Sequence, residues 1–412
     1  MAGTNFDPLE RRHPEARRAA LATALPDLVR HAVTHAPGWG RQLAGVEPAA
    51  VDGIEALASL PVLRKAELIA RQADDPPFGG LAATPVGSLR RVFTSPGPIF
   101  EPEGNRPDFF RLARALFAAG FRKGDLVHNA FAYHLMPAGA MLESGAQALG
   151  CPVIPAGTGN TDQQVRVIEQ LRPVGYVGTP SFLGILLDKA EEAGVRSNFA
   201  KALVSGEAFP RPLAERLRAE HGIDGYQAYA IADLGLIAYE TEAHAGLVVD
   251  EGVIVEIVAP GSGDPVAEGE VGEVVVTTFN PDYPLIRFAT GDLSAFLPGP
   301  SPCGRTNCRL RGWLGRADQS TKVRGLFVHP HQVGQIAGRH PEVTRARLVV
   351  GQEHGRDRLT LEVEASEHPE GLASELAATI RDVTGLRGEV RFTLQGTLPA
   401  DGPVIDDQRG AD

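Results

Sequence analysis

Between Phe109 and Gly206 two kinds of apolar pattern alternate, and that alternation restricts the fold more than any other feature of the chain. "DFFRLARALFAAG" spaces its apolar residues as one face of a helix, and "DLVHNAF" is a short strand. "MPAGAMLESGAQALG" is helical again, "CPVIPAG" a strand, and "NTDQQVRVIEQLRP" an amphipathic helix with Asn160 or Thr161 as its cap. "VGYVGTP", "SFLGILLDKAEEAG" and "AKALVSG" continue the series as strand, helix and strand. Strands separated by helices pair in parallel, so this stretch predicts a parallel sheet wrapped by helices. Ligands of such sheets bind beyond the carboxyl ends of the strands.

The flanking regions read differently. Residues 8–90 are helices broken by prolines, as in "PEARRAALATALPDLVRHAVTHAP". After Ala238, "GLVVDEGVIVEIVAP", "GEVGEVVVTTF" and "LIRFATGDLSAFL" are β-rich and punctuated by Gly and Pro, which predicts an antiparallel sheet or small barrel. The glycine-rich, charged "RGWLGRADQSTKVRG" links to a compact α+β lobe, in which "RARLVVGQ" and "RLTLEVEA" pair as strands, "GLASELAATIRDVTG" is a helix and "EVRFTLQ" a strand. The expected class is α/β: a large N-terminal domain over residues 1–317, with mixed sheets and helices plus a β-rich subdomain, and a small α+β domain over 318–412. Within the first, 1–90 is a helical lobe, 91–237 the α/β core and 238–317 the β-rich part.

A chain of 412 residues that is 43% hydrophobic has enough apolar mass for a sizeable core. Its net charge of −11 argues against a nucleic-acid binder, whose usual signature is a basic face. No apolar run reaches the length of a membrane span, and the N-terminal residues lack a signal-peptide core. Three cysteines, Cys151, Cys303 and Cys308, suit a reducing cytosol better than a disulfide scaffold, so a cytoplasmic protein without membrane partners is expected.

Several segments at predicted strand ends carry residues suited to a nucleotide. "VSGEAFP" places Ser205, Gly206 and Glu207 directly after a buried strand, where glycine lets the backbone approach a flat ligand; it also reads as an ordinary strand-to-helix turn. In "YQAYAIADLG", Tyr229 suits a base and Asp233 a metal or phosphate, or they are a core tyrosine and a capping aspartate. In "PLIRFATGDLSAF", Asp292 follows Thr-Gly at the end of a β-run; an ionised carboxylate only accepts hydrogen bonds and so suits a ribose diol, while the alternative is a Gly-Asp turn. "RVFTSPGPIFEPEG" begins like a phosphate-cradling loop with Thr94, Ser95 and Gly97, yet carries Pro96 and Pro98 and no lysine.

Together these segments resemble, in order, those of the adenylate-forming acyl-CoA synthetases, and more narrowly the phenylacetate–CoA ligase family, as a divergent member. "FAYHLMPAG" resembles its acyl-pocket region, "GCPVIPAGTGNTDQQVRVIEQLRP" with "VGTPSFL" its central signature, "VSGEAFP" its adenine-side turn and "YAIAD" its Tyr-Gly-x-Ser-Glu element. "PLIRFATGDLS", "PCGRTNCRLRGWLGRADQ" and "KVRGLFVHPHQV" resemble its ribose motif, its Cys-Gly-Arg-Thr segment and its hinge. The likeness is close over about residues 90–335 and holds in outline beyond them.

The resemblance implies an AMP-forming carboxylate–CoA ligase using ATP, CoA and Mg2+, and a mobile C-terminal domain that rotates between two half-reactions: formation of an acyl-adenylate, then its capture by the CoA thiol. It implies that Asp292 binds the ribose hydroxyls and Arg316 contacts ribose or phosphate. Ser205, Gly206 and Glu207 line the adenine edge. Tyr229, between Ala228 and Ala230, packs on the base, and Asp233 takes the place of the Mg2+-associated acid. Asp318 is the hinge, and Lys322 on the hinge strand faces phosphate or a thioester partner. Tyr133, His134 and Met136 fall near the acyl pocket and suggest an aromatic or medium apolar acid, although His134 also reads as a core histidine. A homodimer is a further family-level expectation.

The chain departs from that pattern where ATP would react. Two prolines in "TSPGPIFEP" remove amide donors from the phosphate loop, and Phe100 and Glu101 replace small or basic residues, so Glu101 is expected to repel a triphosphate. The family's catalytic lysine falls on Pro403 in "GTLPADGPVIDDQRG", and no lysine follows Lys322. Losing such a preorganised charge costs on the order of 10²–10³ in rate. Ala230 and Ala232 replace a glycine and a hydroxyl residue, and Asp233 is one methylene shorter than the usual glutamate. Thr241 and Val248 stand where relatives carry metal-type ligands, so Cys303 and Cys308 are expected as reduced thiols rather than as a structural zinc site, which normally takes four ligands. Two functions are therefore expected: a ligase that activates a small, aromatic acid and transfers it to CoA, or a catalytically impaired relative that binds nucleotide, acyl-adenylate or acyl-CoA as a sensor or accessory protein.

Overall fold

The computed structural model describes residues 5–409, apart from 315, 318–320, 325, 329, 354–355, 368 and 399–402, and without the side chains of 322, 327, 330 and 331. The chain divides into two compact units, Met1–Leu314 and Gly315–Asp412.

The larger unit is built on a nine-stranded sheet. Its parallel half runs, edge to centre, Val153–Pro155, Val127–Asn129, Gly175–Gly178, Lys201–Val204 and Asp224–Ile231. The first four are the strands that the apolar alternation predicts, Asp224–Ile231 extends the series, and the helices Ala138–Ala148, Thr161–Leu171, Pro180–Glu192 and Arg211–His221 separate the five in sequence. Helix starts follow local chemistry. Thr179 caps Pro180–Glu192, its hydroxyl accepting from the Phe182 amide. Asn160 holds the cap position of Thr161–Leu171 at φ 47 without a side-chain capping bond. The sheet continues antiparallel through Gly235–Tyr239, Leu247–Val249, Arg309–Leu310 and Phe296–Leu297.

A second sheet of four strands is open rather than a barrel, in the order Leu63–Arg64, Phe288–Ser294, Gly272–Thr278 and Val253–Val258. The first of these strands comes from the helical N-terminal stretch and pairs parallel to Phe288–Ser294. Arg287, just before that strand, is buried with its guanidinium on Glu256 and on the carbonyls of Ala58, Leu60 and Gly263, which ties the N-terminal helices to this sheet. The segment read as a phosphate loop is a hairpin, Arg91–Ser95 paired with Ile99–Glu103, so its amides serve strand pairing instead of forming a cradle.

The smaller unit pairs Val343–Glu353 with Arg356–Ala365, flanks them in parallel with Ile405–Asp407 and Glu389–Phe392, and packs Leu372–Thr384 against its own apolar cluster of Leu348, Leu361, Leu376 and Ile380. Among the described residues no helix is long and apolar enough to cross a membrane.

Candidate functional site

In the larger unit, the carboxyl ends of the parallel strands and the strand Phe288–Ser294 bring one set of sequence-marked residues together. Ser205 follows Lys201–Val204 and donates its hydroxyl to the Ala228 carbonyl at 2.7 Å. Gly206 turns the chain at φ 81, a conformation that glycine adopts without strain. Glu207 accepts from the Ser181 amide at 3.4 Å, at the first turn of the neighbouring helix. Ala228, Tyr229 and Ala230 lie on Asp224–Ile231, and the pairing with Gly235–Tyr239 slips between Tyr229 and Ala230, a bulge of the kind that re-aims a side chain.

Tyr229 connects the two sheets. Its hydroxyl lies 2.8 Å from Asp292 Oδ2 and 3.1 Å from Thr290 Oγ1. The other carboxylate oxygen, Oδ1, accepts from the Trp313 indole Nε1 at 3.1 Å, and the Asp292 amide donates to Thr290 Oγ1. Asp292 is buried, its Oδ2 held by Tyr229 and its Oδ1 met by the more exposed Trp313 indole.

Asp233 lies four residues beyond Tyr229, in the turn between Asp224–Ile231 and Gly235–Tyr239. Its side chain is wholly buried, and neither oxygen has a hydrogen-bond partner. Lys65 Nζ, on a side chain that is 35% exposed, stands 3.6 Å from Oδ2. Glu101 faces the same region from the hairpin. Its Oε1 accepts the Ser95 hydroxyl, and Oε2 has no partner. Burial, followed by the charge of Asp233, lifts the Glu101 carboxyl to about 8. The expectation that Glu101 projects a repelling charge is therefore corrected: strand alternation turns it inward, where burial keeps it protonated at neutral pH.

The unpartnered oxygens of Asp233 are the kind of donors Mg2+ takes, but the Lys65 ammonium stands where the ion's charge would sit. These residues do not fit a protein-held Mg2+, and no step below is routed through one.

The remaining candidates lie as follows. Tyr133 accepts from Asn129 Nδ2 at 2.9 Å, and its ring lies against Gly139, where an added Cβ would come within 2.8 Å of it. Met136 is half-buried, while His134 is exposed, which removes its reading as a core histidine. Arg316 belongs to the smaller unit and is half-buried. Lys322 lies on Thr321–Val323, paired with Leu326–Val328, but its side chain falls outside the described part, and Asp318 lies outside the described residues. Pro403 is exposed, two residues before Ile405–Asp407.

The Cys-Gly-Arg-Thr segment anchors the N-terminal residues: buried Arg305 pairs with Glu10, and Thr306 bonds to the Arg12 carbonyl. Burial raises the Cys303 thiol, yet bonds with Ser301, Thr241 and Arg305 leave it below its ordinary value. Val248 is packed in the apolar core. Among the described residues no group of three or more His, Cys, Asp or Glu is placed to hold a metal.

Sequence reasoning missed Lys65, Thr290 and Trp313. Thr290 and Trp313 lie inside quoted motifs, two residues before and twenty-one after Asp292. Lys65 lies 168 positions before Asp233 and carries no local signal.

Residues 130–280 match the family described as AMP-binding enzyme. The phenylacetate-coenzyme A ligase of Thermus thermophilus is 32% identical over 86% of this chain and 82% of its own length. That of Aromatoleum evansii is 29% identical over 94% and 92%. Among solved structures, 2-hydroxyisobutyryl-CoA ligase in complex with 2-HIB-AMP and CoA aligns with a TM-score of 0.85 at 24% identity, over 100% of this chain and 96% of that one, a likeness of fold. These matches identify the chain as a member of the phenylacetate–CoA ligase family of adenylate-forming enzymes.

Proposed function

We propose that this chain is an acyl-CoA ligase that handles the adenylate of a small, aromatic carboxylic acid and passes the acyl group to CoA, with formation of the adenylate from ATP as its weak half. Asp292, held by Tyr229, carries the reading, because a buried carboxylate acceptor at a sheet junction suits a ribose diol once the exposed Trp313 indole gives way. In this reading Ser205, Gly206 and Glu207 line the adenine edge, and Tyr133 and Met136 the acyl group. Arg316, Asp318 and Lys322 keep the roles that family likeness gives them.

In the full reaction the acid's carboxylate attacks the α-phosphate of ATP, releasing pyrophosphate. The CoA thiolate then attacks the acyl carbonyl, and AMP leaves. The first step suffers most here: the hairpin carries no lysine and turns Glu101 inward, and Pro403 replaces the lysine that contacts the reacting carboxylate. Those same observations favour a second reading, a catalytically impaired relative that binds nucleotide, acyl-adenylate or acyl-CoA as a sensor or accessory protein.

Two assays separate these readings. The first is pyrophosphate exchange with ATP and a panel of aryl acids, run on the unmodified chain and on Pro403→Lys. The second is thioester formation from synthetic phenylacetyl-adenylate and CoA. The ligase reading expects thioester formation by the unmodified chain, with weak exchange that Pro403→Lys increases. Thioester formation absent from both proteins, with AMP still bound, would leave only the sensor reading, and robust exchange by the unmodified chain sinks it.

A further inference from the structure

We propose that Lys65 is the cation that holds the phosphate of a bound nucleotide in this chain, supplying a charge that the hairpin of residues 91–103 does not carry. The inference rests on reading the Asp292 region as a nucleotide pocket.

Placement comes first. Leu63–Arg64 pairs in parallel with Phe288–Ser294, with Arg64 opposite Ala289. The next residue, Lys65, therefore leaves the sheet beside Thr290, the residue whose hydroxyl meets both Tyr229 and the Asp292 amide. It opens the helix Lys65–Asp74, and its ammonium reaches back to Asp233. With the base read at Ser205 and Gly206 and the ribose at Tyr229 and Asp292, the turn that follows Asp224–Ile231 and carries Asp233 is taken as the phosphate end.

Availability comes second. Lys65 is part exposed, whereas Asp233, the carboxylate it pairs with, is sealed from solvent. At 3.6 Å the contact is an ion pair without a hydrogen bond, so the ammonium's three N–H donors are not spent on Asp233. The other lysines of the larger unit are placed differently: Lys201 is bound by Asp125 and the Gly120 carbonyl, Lys189 pairs with Glu192 on an exposed helix, and Lys123 lies against Gly150.

Function comes third. A phosphate arriving at the Asp233 end meets an anionic carboxyl that would oppose it. Lys65 offsets that charge and offers donors to the phosphate oxygens. Because the ammonium stands where a metal would, AMP binding needs no divalent ion.

The test is calorimetric titration of the full chain with AMP and with adenosine, in EDTA and then in Mg2+. The unmodified chain is expected to prefer AMP to adenosine in EDTA. Lys65→Met should weaken AMP binding about tenfold to a hundredfold and leave adenosine unchanged, the range expected for a charge-assisted hydrogen bond. Lys65→Arg should recover most of the loss. Because Lys65→Met strands a buried Asp233, Lys65→Met with Asp233→Asn is measured beside it and should show a smaller loss of phosphate preference, since the opposing carboxyl is gone, while still falling short of the unmodified chain. Equal losses for AMP and adenosine, no loss for AMP, or AMP binding that appears only with Mg2+ each overturn the role of Lys65 while leaving the pocket intact. Failure of the unmodified chain to bind either ligand overturns the nucleotide pocket itself, and this inference with it.

Discussion

Trp313 donates its indole Nε1 to Asp292 Oδ1 at 3.1 Å, opposite the Tyr229 hydroxyl on Oδ2, so both oxygens meant for a diol already carry side-chain donors. Tyr229 and Thr290 lie within strands, but Trp313 is 41% exposed and lies beside the end of the larger unit. A ribose competes with the indole for Oδ1. Trp313→Phe removes that donor and keeps an aromatic surface. Adenosine binding is expected to tighten by about two- to tenfold, the worth of one neutral hydrogen bond. Weaker binding would show instead that the indole contacts the ligand.

The cluster around Tyr229 was legible in sequence where its residues lie at or near strand ends. Ser205 follows and Tyr229 lies late in parallel strands of one sheet, which collects such positions at one edge, while Asp292 comes from the second sheet and meets them through the Tyr229 hydroxyl. The Lys65–Asp233 pair was not, because Lys65 enters through a two-residue strand inside a stretch that reads as helix, and pairing across 225 positions leaves no periodic trace. The fate of Glu101 was hidden for a related reason. Its sequence neighbours read as a loop, where a carboxylate faces water, but the stretch pairs as a hairpin, and alternation along Ile99–Glu103 turns Glu101 and Glu103 inward while Phe100 faces out. The domain that carries Lys322 is legible as strands and a helix, yet no local pattern says what its side chains meet.

Glu101 sets a stability slope with a definite sign. Burial and the charge of Asp233 raise its carboxyl to about 8, so the folded chain keeps a proton that the unfolded chain has already lost. The stability this group contributes is fully present below the ordinary carboxylate range and is lost as pH rises toward about 8. In EDTA, the melting temperature of the unmodified chain is expected to fall between about pH 5 and pH 8 by more than that of Glu101→Gln, which keeps a neutral side chain on Ser95 throughout. The check is calorimetry on both proteins at matched pH values. Parallel curves would mean that Glu101 is ionised in the folded chain, and would restore it as a repelling charge at the hairpin.

Arg287 and Glu256 give the largest expected loss of stability away from the pocket. Both side chains are 3% exposed, and the guanidinium also satisfies the Ala58, Leu60 and Gly263 carbonyls. Burial raises the Glu256 carboxyl even with Arg287 beside it, so desolvation outweighs the attraction within the pair. Such a pair adds little net stability, but removing one partner is costly, because the other charge stays buried. Arg287→Met is expected to cost about 3–5 kcal/mol by urea denaturation of the intact chain. Adding Glu256→Gln should return part of that loss, since a neutral amide replaces the stranded carboxylate. The three orphaned carbonyls remain, so recovery stays incomplete. A double variant no more stable than Arg287→Met would place the whole cost on those carbonyls, making Arg287 a clamp on the N-terminal helices rather than a counter-charge.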